Sequence, residues 1–386
     1  MSDLLARAQR VAAVAAQHSD DVDRDGRFPH ETLRSLKEHR LLGIMIPADC
    51  GGEAASLEEI AEICACLGQH CASSAMIFAM HQIKVSSLVS HGAASAWHRA
   101  YMRRVAEEQL LLASATTEAG IGGDLRNSIC AVEPLGGERF RLIKDATVIS
   151  YGAHADAILA TTRRAPDAPS SDQVLVVVEK EQYTLRRTAT WDTLGMRGTC
   201  SEGYILTAEA PLAQILPKPF AEIAAQSMLA TSHLLWSSLW YGIANNAVVR
   251  AQNFVRADAR KRPNATPPGA LRVAEAANLL QMMKSTTVDG LQRFARAQKN
   301  GDELSSMGFA VAMNNVKIAT SKLALDIINT AMLVCGIMGY KNATPYSLGR
   351  HWRDALSAQL MINNDRIFGN TSNLLLVHRL DSHLLS

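Results

Sequence analysis

The stretch "SICAVEPLGGERFRLIKDATVIS" (residues 128–150) decides how this chain is built. Its β-branched and aromatic residues fall in short runs around Gly136-Gly137, which reads as two strands joined by a hairpin turn. Toward the C-terminus, "DAILATTRR" (156–164) and "QVLVVVEK" (173–180) read as further strands, with "APDAPSSD" (165–172) as a mobile-looking loop between them. "YTLRRTATWDTLGMRGTCSEGYILTAEAPL" (183–212) continues the pattern. The strands follow one another with no helix between them, which excludes a parallel βαβ sheet and predicts an antiparallel one.

On either side the period changes. "HETLRSLKEHRLLG" (30–43) has Leu33, Leu36, Arg40 and Leu41 at helical spacing and is expected to run as a helix to Gly43. "SLEEIAEICACLGQ" opens with Ser56 and Glu59 spaced as a capping box. From about Phe220 long helical patterns return, interrupted by "RPNATPPG" (262–269). The fold class is therefore α+β, expected as an N-terminal helical domain (1–112), a middle antiparallel β domain (113–219) and a C-terminal helical bundle (220–386).

The totals narrow the function. With 386 residues and 48% hydrophobic content, the chain can bury one large core or two to three packed subdomains. A net charge of +2 gives no basis for nucleic-acid or polybasic membrane binding. "RADARKRP" (256–263) is broken by Asp258 and reads as a solvated helix end, with a phosphate contact as the alternative. Seven cysteines without CxxC spacing argue against a disulfide framework or a zinc site; Cys64, Cys66 and Cys71 read as helix packing residues. The N-terminus has no signal-peptide pattern. The stretch from Ile223 to Ala257 lacks Asp and Glu but carries His233, Asn245, Asn246 and Arg250, so a buried helix is expected rather than a membrane span. A cytoplasmic location is the expectation.

Five motifs then stand in order. "FPHETLRSLKEHRLLGIMIPADCGGEAAS" (28–56), "TTEAGIGGD" (116–124), "LIKDATVISYG" (142–152), "LVCGIMGY" (333–340) and "RHWRDA" (350–355) resemble the signatures of acyl-CoA dehydrogenases, over about residues 25–380. The resemblance implies a homotetramer or homodimer, a non-covalent FAD and a pocket for an acyl thioester. Glycines in "TTEAGIGGD" would let backbone N–H groups reach phosphate or ring edges. On this resemblance the cofactor-binding positions are Ser114, Thr116, Thr117, Gly122, Gly123, Val148, Ile149, Ser150, Leu333, Gly336, Asn364 and Arg366. Thr117 should face the flavin pyrimidine edge and Ser150 should meet the ring near N5. Three departures stand out: Gly123 for a Ser, Val148 for a Trp that packs on the ring, and Leu333 for a Gln near the adenine. The family's Arg-x-x-Phe-Gly is not recognisable near Arg260.

The reaction is where the chain departs most. Removing a weakly acidic C–H requires a positioned carboxylate, while the flavin takes the hydride. Counting from Arg353, the family's Glu position falls on Ile362, beside Met361. A shifted alignment gives Gly369. The alternative position on an earlier helix, anchored on Gly242, gives Ser232. None is acidic. Asp365 and His233 remain as candidate bases. Asp365 also reads as a partner of Arg366 or a helix cap, and His233 as a hydrogen-bonded core histidine. Met361, Ile362 and Ser232 are the expected substrate-pocket residues, and no metal is expected.

Members of the fold without the Glu include flavin-dependent oxygenases, and "WDTLGMRGTCS" (191–201) resembles a strand common in them. The expectation is an FAD-dependent oxygenase or hydroxylase acting on an acyl thioester or related small substrate. Two alternatives stay open: a dehydrogenase of acyl-CoA or acyl-carrier-protein substrates with a relocated or substrate-supplied base, and a non-catalytic flavoprotein scaffold. A flavin reductase or an electron-transferring flavoprotein is the expected redox partner. Aromatic content is only 5%, so an aromatic-lined pocket is not expected.

Overall fold

A computed structural model describes residues 3–261 and 265–380. The first three residues of the "RPNATPPG" break, and the end of the "RADARKRP" run, lie outside the described residues.

Five helices come first: α1 (Asp3–Asp25), α2 (His30–Glu38), α3 (Leu57–Gly68), α4 (Ala72–Gly92) and α5 (Ala96–Glu108). The Ser56–Glu59 capping box opens α3 as expected. Helix α2 stops at Glu38, well short of Gly43, because Arg40 takes a left-handed conformation (φ 52°) and the chain turns so that Leu41 and Leu42 enter the core. Helix α4 is apolar on every side, and from Ala72 to Leu88 every residue is buried except Met80.

Seven strands follow: β1 (Leu112–Ala115), β2 (Glu133–Gly136), β3 (Arg139–Ile149), β4 (Ala157–Arg163), β5 (Gln173–Glu179), β6 (Tyr183–Ala189) and β7 (Glu202–Pro211). They form two sheets, ordered β1-β4-β5 and β2-β3-β7-β6. The hairpin at Gly136-Gly137 is present, both glycines having positive φ. Antiparallel pairing holds for every strand pair but one: β1 runs parallel to β4, which the sequence reading missed. Residues 116–156 supply the long crossover that a parallel pair requires, through β2 and β3 rather than an α-helix. The 165–172 loop is tied down. Arg163 Nη1 donates to the carbonyls of Pro166 and Ala168, Ser128 N donates to Ser170 O, and Arg164 pairs with Asp172.

The C-terminal helices are α6 (Phe220–Ile223), α7 (Leu229–Lys261), α8 (Ala270–Ala297), α9 (Gly301–Leu304), α10 (Met307–Cys335), α11 (Ile337–Tyr340), α12 (Gly349–Leu360) and α13 (Asn364–Leu375). A π-helical stretch, Ala224–Met228, joins α6 to α7. Helix α7 packs on α3 at very short range. A Cβ on Gly242 would stand 2.2 Å from Ala65 O, and one on Gly68 would stand 2.4 Å from Leu239 O, so both positions require glycine. Helix α10 is long and apolar enough to cross a membrane, but it packs between α7 and α8. All seven cysteines are free, and six are buried.

Candidate active site

The loop that follows β1 is held from below by an ion pair. The Glu118 carboxylate is buried and accepts from Ser128 Oγ (2.8 Å), Ile129 N (3.0 Å), Cys130 N (2.6 Å) and Lys144 Nζ (3.0 Å). Lys144 also donates to Thr161 O (3.0 Å). Burial works against the carboxylate charge, but Lys144 and the hydrogen bonds outweigh it and hold Glu118 below its usual range. Thr117 fastens the loop to β3: its Oγ1 donates to Val148 O (2.9 Å) and accepts from Val148 N (3.2 Å). Above this base, Gly120, Gly122 and Gly123 all have positive φ, and a Cβ on Gly122 would meet nothing within 4 Å. At Gly122 the backbone faces open space on its Cβ side, as a ligand cradle requires.

Arg366 of α13 reaches this loop and donates through both terminal nitrogens to the carbonyls of Gly122 and Gly123. A Cβ on Gly123 would stand 2.5 Å from Arg366 Nη1. The glycine that replaces the expected serine therefore makes room for the Arg366 guanidinium.

At the end of β3, Ile149 is fully buried, so its side chain belongs to the core and only its backbone can meet a ligand. Ser150 is partly exposed and sits at the end of a hydroxyl chain. Ser201 Oγ donates to Ser150 Oγ (2.7 Å), Thr199 Oγ1 lies 2.8 Å from Ser201 Oγ, and Thr199 Oγ1 also reaches Met196 O (2.8 Å). Met196 N donates to Asp354 Oδ1 (2.7 Å), which ties the chain to α12. Each hydroxyl has one proton. These contacts fix the Ser150 hydroxyl at the partly exposed end of the chain. Tyr151, Met196 and Cys200 all have positive φ, a concentration of backbone strain at one place. Asp354 is buried, and desolvation pushes its pKa up to about 6.

The turn between α12 and α13 carries the position where a base was expected. Ile362 is partly buried with φ 47°, a conformation costly for a β-branched residue. Its carbonyl accepts from Lys317 Nζ (2.7 Å), and Lys317 also donates to Asn364 Oδ1 (2.7 Å). Lys317 lies on α10, is fully buried and stands 5.9 Å from the centre of the Trp240 ring. Desolvation lowers its pKa to about 8. The apolar side of α10 repeats through Met313, Val316, Thr320 and Ala324, and Lys317 falls on it, a signal the sequence reading passed over.

Several expected roles need correction. Asn364 is buried, and its amide is spent inside the protein, accepting from Lys317 and donating to Ser321 Oγ (3.1 Å), so it has nothing to offer a cofactor. Asp365 is exposed in the first turn of α13, where it suits the helix dipole. It neither pairs with Arg366, which is occupied by the loop, nor caps the helix, whose cap is Asn363. His233 is buried, and its Nδ1 has no hydrogen-bond partner among the described residues. Desolvation, then the nearby Lys317, lowers its pKa to about 4, so it is neutral. Ser232 Oγ donates to Met228 O (2.6 Å) of its own helix. Contrary to expectation, an aromatic stripe stands here. His233, Trp236 and Trp240 follow one another along α7 with ring centroids 6.4 and 6.5 Å apart. Leu333 is 65% exposed at the far end of α10, on a groove of about 310 Å³ with Phe254 and Pro267; Gly336 is exposed beside it. Ser114 and Thr116 are partly buried along β1 and the loop. The structure thus brings together the 116–124 loop, the end of β3 and the 361–366 turn.

Comparison with known proteins agrees with this arrangement. Residues 3–109 match the acyl-CoA dehydrogenase N-terminal domain and residues 223–362 the C-terminal domain, together more than half of the chain. The chain belongs to the acyl-CoA dehydrogenase superfamily. It is 26% identical over 353 residues to cyclohex-1-ene-1-carbonyl-CoA dehydrogenase of Geobacter metallireducens, covering 90% of both chains. Among solved structures, dibenzothiophene monooxygenase (TdsC) from Paenibacillus sp. A11-2 superposes with a TM-score of 0.82 at 19% identity, covering 98% of both chains. Butyryl-CoA dehydrogenase from Megasphaera elsdenii superposes with a TM-score of 0.79 at 17% identity, covering 97% of this chain and 99% of that one.

As a member of this superfamily the protein is a flavin-dependent oxidoreductase, with FAD as cofactor. The residues fit a flavin, with the Ser150 hydroxyl partly exposed at the end of its chain and the Cβ side of Gly122 open. Sequence reasoning missed the groups that position these contacts: Glu118, Lys144, Thr199, Ser201, Asp354 and Lys317. Thr199 and Ser201 stand inside "GMRGTCS", a stretch quoted only for its likeness.

Proposed function

We propose that this chain is a flavin-dependent oxygenase acting on a small organic substrate, rather than an acyl-CoA dehydrogenase of the ordinary kind. One observation carries the reading. At the position where an α-proton would be taken stands Ile362, and the side chains that hold its turn are Lys317 and Asn364, neither a carboxylate. The other family position, Ser232, is bonded to its own helix, and Asp365 faces solvent. A cationic lysine and a neutral histidine offer no strong base at neutral pH.

The bound flavin would supply the redox chemistry with O₂. The chain's own part is positioning. Thr117 and Ser150 would hold the ring, and Gly122 would stand further along the cofactor. Ile362, Met361 and Trp236 would line a dry space beside it, and Arg366 would stand at the phosphate end. The acceptance of an acyl thioester, as in the cyclohexenecarbonyl-CoA relative, is the second reading, favoured by that relative's match over 90% of the chain. The exposed Leu333, Ile337, Tyr340 and Leu376 support association into a homodimer or homotetramer.

The test is a pair of reductions. Holoenzyme reduced by an external flavin reductase should consume O₂ into an oxygenated product. Mixing with acyl-CoAs under anaerobic conditions should leave the flavin oxidised. Rapid anaerobic bleaching by a thioester, with enoyl product, would overturn the oxygenase reading in favour of a dehydrogenase.

A further inference from the structure

Helix α4 holds one charged residue other than its histidines, Lys84, and buries it. The environment is unusual for an ammonium group. The partner of Nζ is the thioether sulfur of Met228 (3.4 Å), a weak acceptor that leaves two of the three lysine donors without a hydrogen bond. Among the described residues no carboxylate faces it: across the helix interface stand Met228, Thr231 (bonded to Ser86) and Ser227 (bonded to His91). The whole stretch Ile223–Ala257 opposite is free of acidic residues. A buried cation without an anion is costly, and burial lowers the Lys84 pKa to about 8; a bound anion would restore its full charge.

Three features place this cation at a ligand site. Met228 links it to the expected substrate pocket, because Ser232 donates to the Met228 carbonyl. Met228 also ends the π-helical stretch Ala224–Met228, and such bulges concentrate at functional sites. Finally, Met80 is the one residue between Ala72 and Leu88 that is not buried, and it lies one helical turn before Lys84 on the same face.

We infer that Lys84 is the anchor for a carboxylate carried by the substrate, bound at the end of the pocket beneath Ser232. The inference rests on the proposal that Ser232 and Ile362 line the substrate pocket. The apolar wall of Met80, Ile83 and Met228 would take the body of the molecule, and Lys84 would take its single negative charge through the two free donors.

A matched pair of probes tests this: hexanoate and 1-hexanol, titrated into the holoenzyme with tryptophan fluorescence as the readout, since Trp236 and Trp240 stand on the same helix. The parent should bind hexanoate at least about tenfold more tightly than hexanol. Lys84→Met, which keeps the length and the apolar stem, should lose that preference while still binding hexanol; Lys84→Gln serves the same purpose if the methionine variant fails to fold. Hexanol binding with no carboxylate preference in the parent, or a preference unchanged in the variants, overturns the role of Lys84 and leaves the pocket standing. Binding of neither probe overturns the pocket and the inference together.

Discussion

Lys144→Met probes the base of the cofactor loop. In the parent, Glu118 is 5% exposed and takes four hydrogen bonds, one of them from Lys144, itself fully buried. Removing the ammonium leaves the carboxylate with its three neutral donors and no counter-charge. Breaking a buried pair in this way costs about 3–5 kcal/mol, and the loss is concentrated in the loop that carries Thr117, Gly122 and Gly123. Two measurements follow: denaturant unfolding of the holoenzyme, and hydrogen exchange of the 116–130 amides. The variant should lose most of that stability at neutral pH, expose the loop amides and release flavin more readily.

The pH dependence has a definite sign. Glu118 is depressed in the folded parent, so its contribution is present above the usual carboxylate range and lost as pH falls through the depressed value. In Lys144→Met burial is opposed only by the three neutral donors, and that value rises. The variant should therefore be worst near neutrality and approach the parent in acid. Adding Glu118→Gln should recover part of the loss, because the uncompensated charge is gone. A Lys144→Met protein within about 1 kcal/mol of the parent at pH 7, with loop amides still protected, would refute the claim that this pair holds the cofactor loop.

Two further outcomes are expected. Ile362→Glu should introduce flavin bleaching by acyl-CoA under anaerobic conditions, because the new carboxylate takes the family position; a variant that folds, binds flavin and a thioester, yet never bleaches would show that the pocket geometry has diverged as well. Ser201→Ala should weaken flavin binding by about 1 kcal/mol, the worth of one hydrogen bond, yet bind 5-deazaflavin, which lacks the N5 acceptor, as well as the parent does; equal losses for both ligands would mean that Ser201 acts on stability alone.

Much of this protein was legible in its sequence. Strand period around Gly136-Gly137, the Ser56–Glu59 cap and the return of helical spacing after Phe220 are local patterns, and local patterns survive reading in one dimension. The missing carboxylate was equally plain, since an absence of Asp and Glu from Ile223 to Ala257 needs no alignment. Helix α2 ended early because tertiary burial of Leu41 and Leu42 overrode helical spacing. The site's supports were invisible for a different reason. Glu118 and Lys144 are 26 residues apart, Met196 and Asp354 are 158 apart, and Lys317 and Ile362 are 45 apart. Each pair is joined only because separate helices and strands pack against one another. The sequence by itself determined the order of elements, the family and the lack of a base. The tertiary structure decided which buried charges stand together, that Ser150 ends a hydroxyl chain tied to Asp354, and that Lys84 stands without an anion.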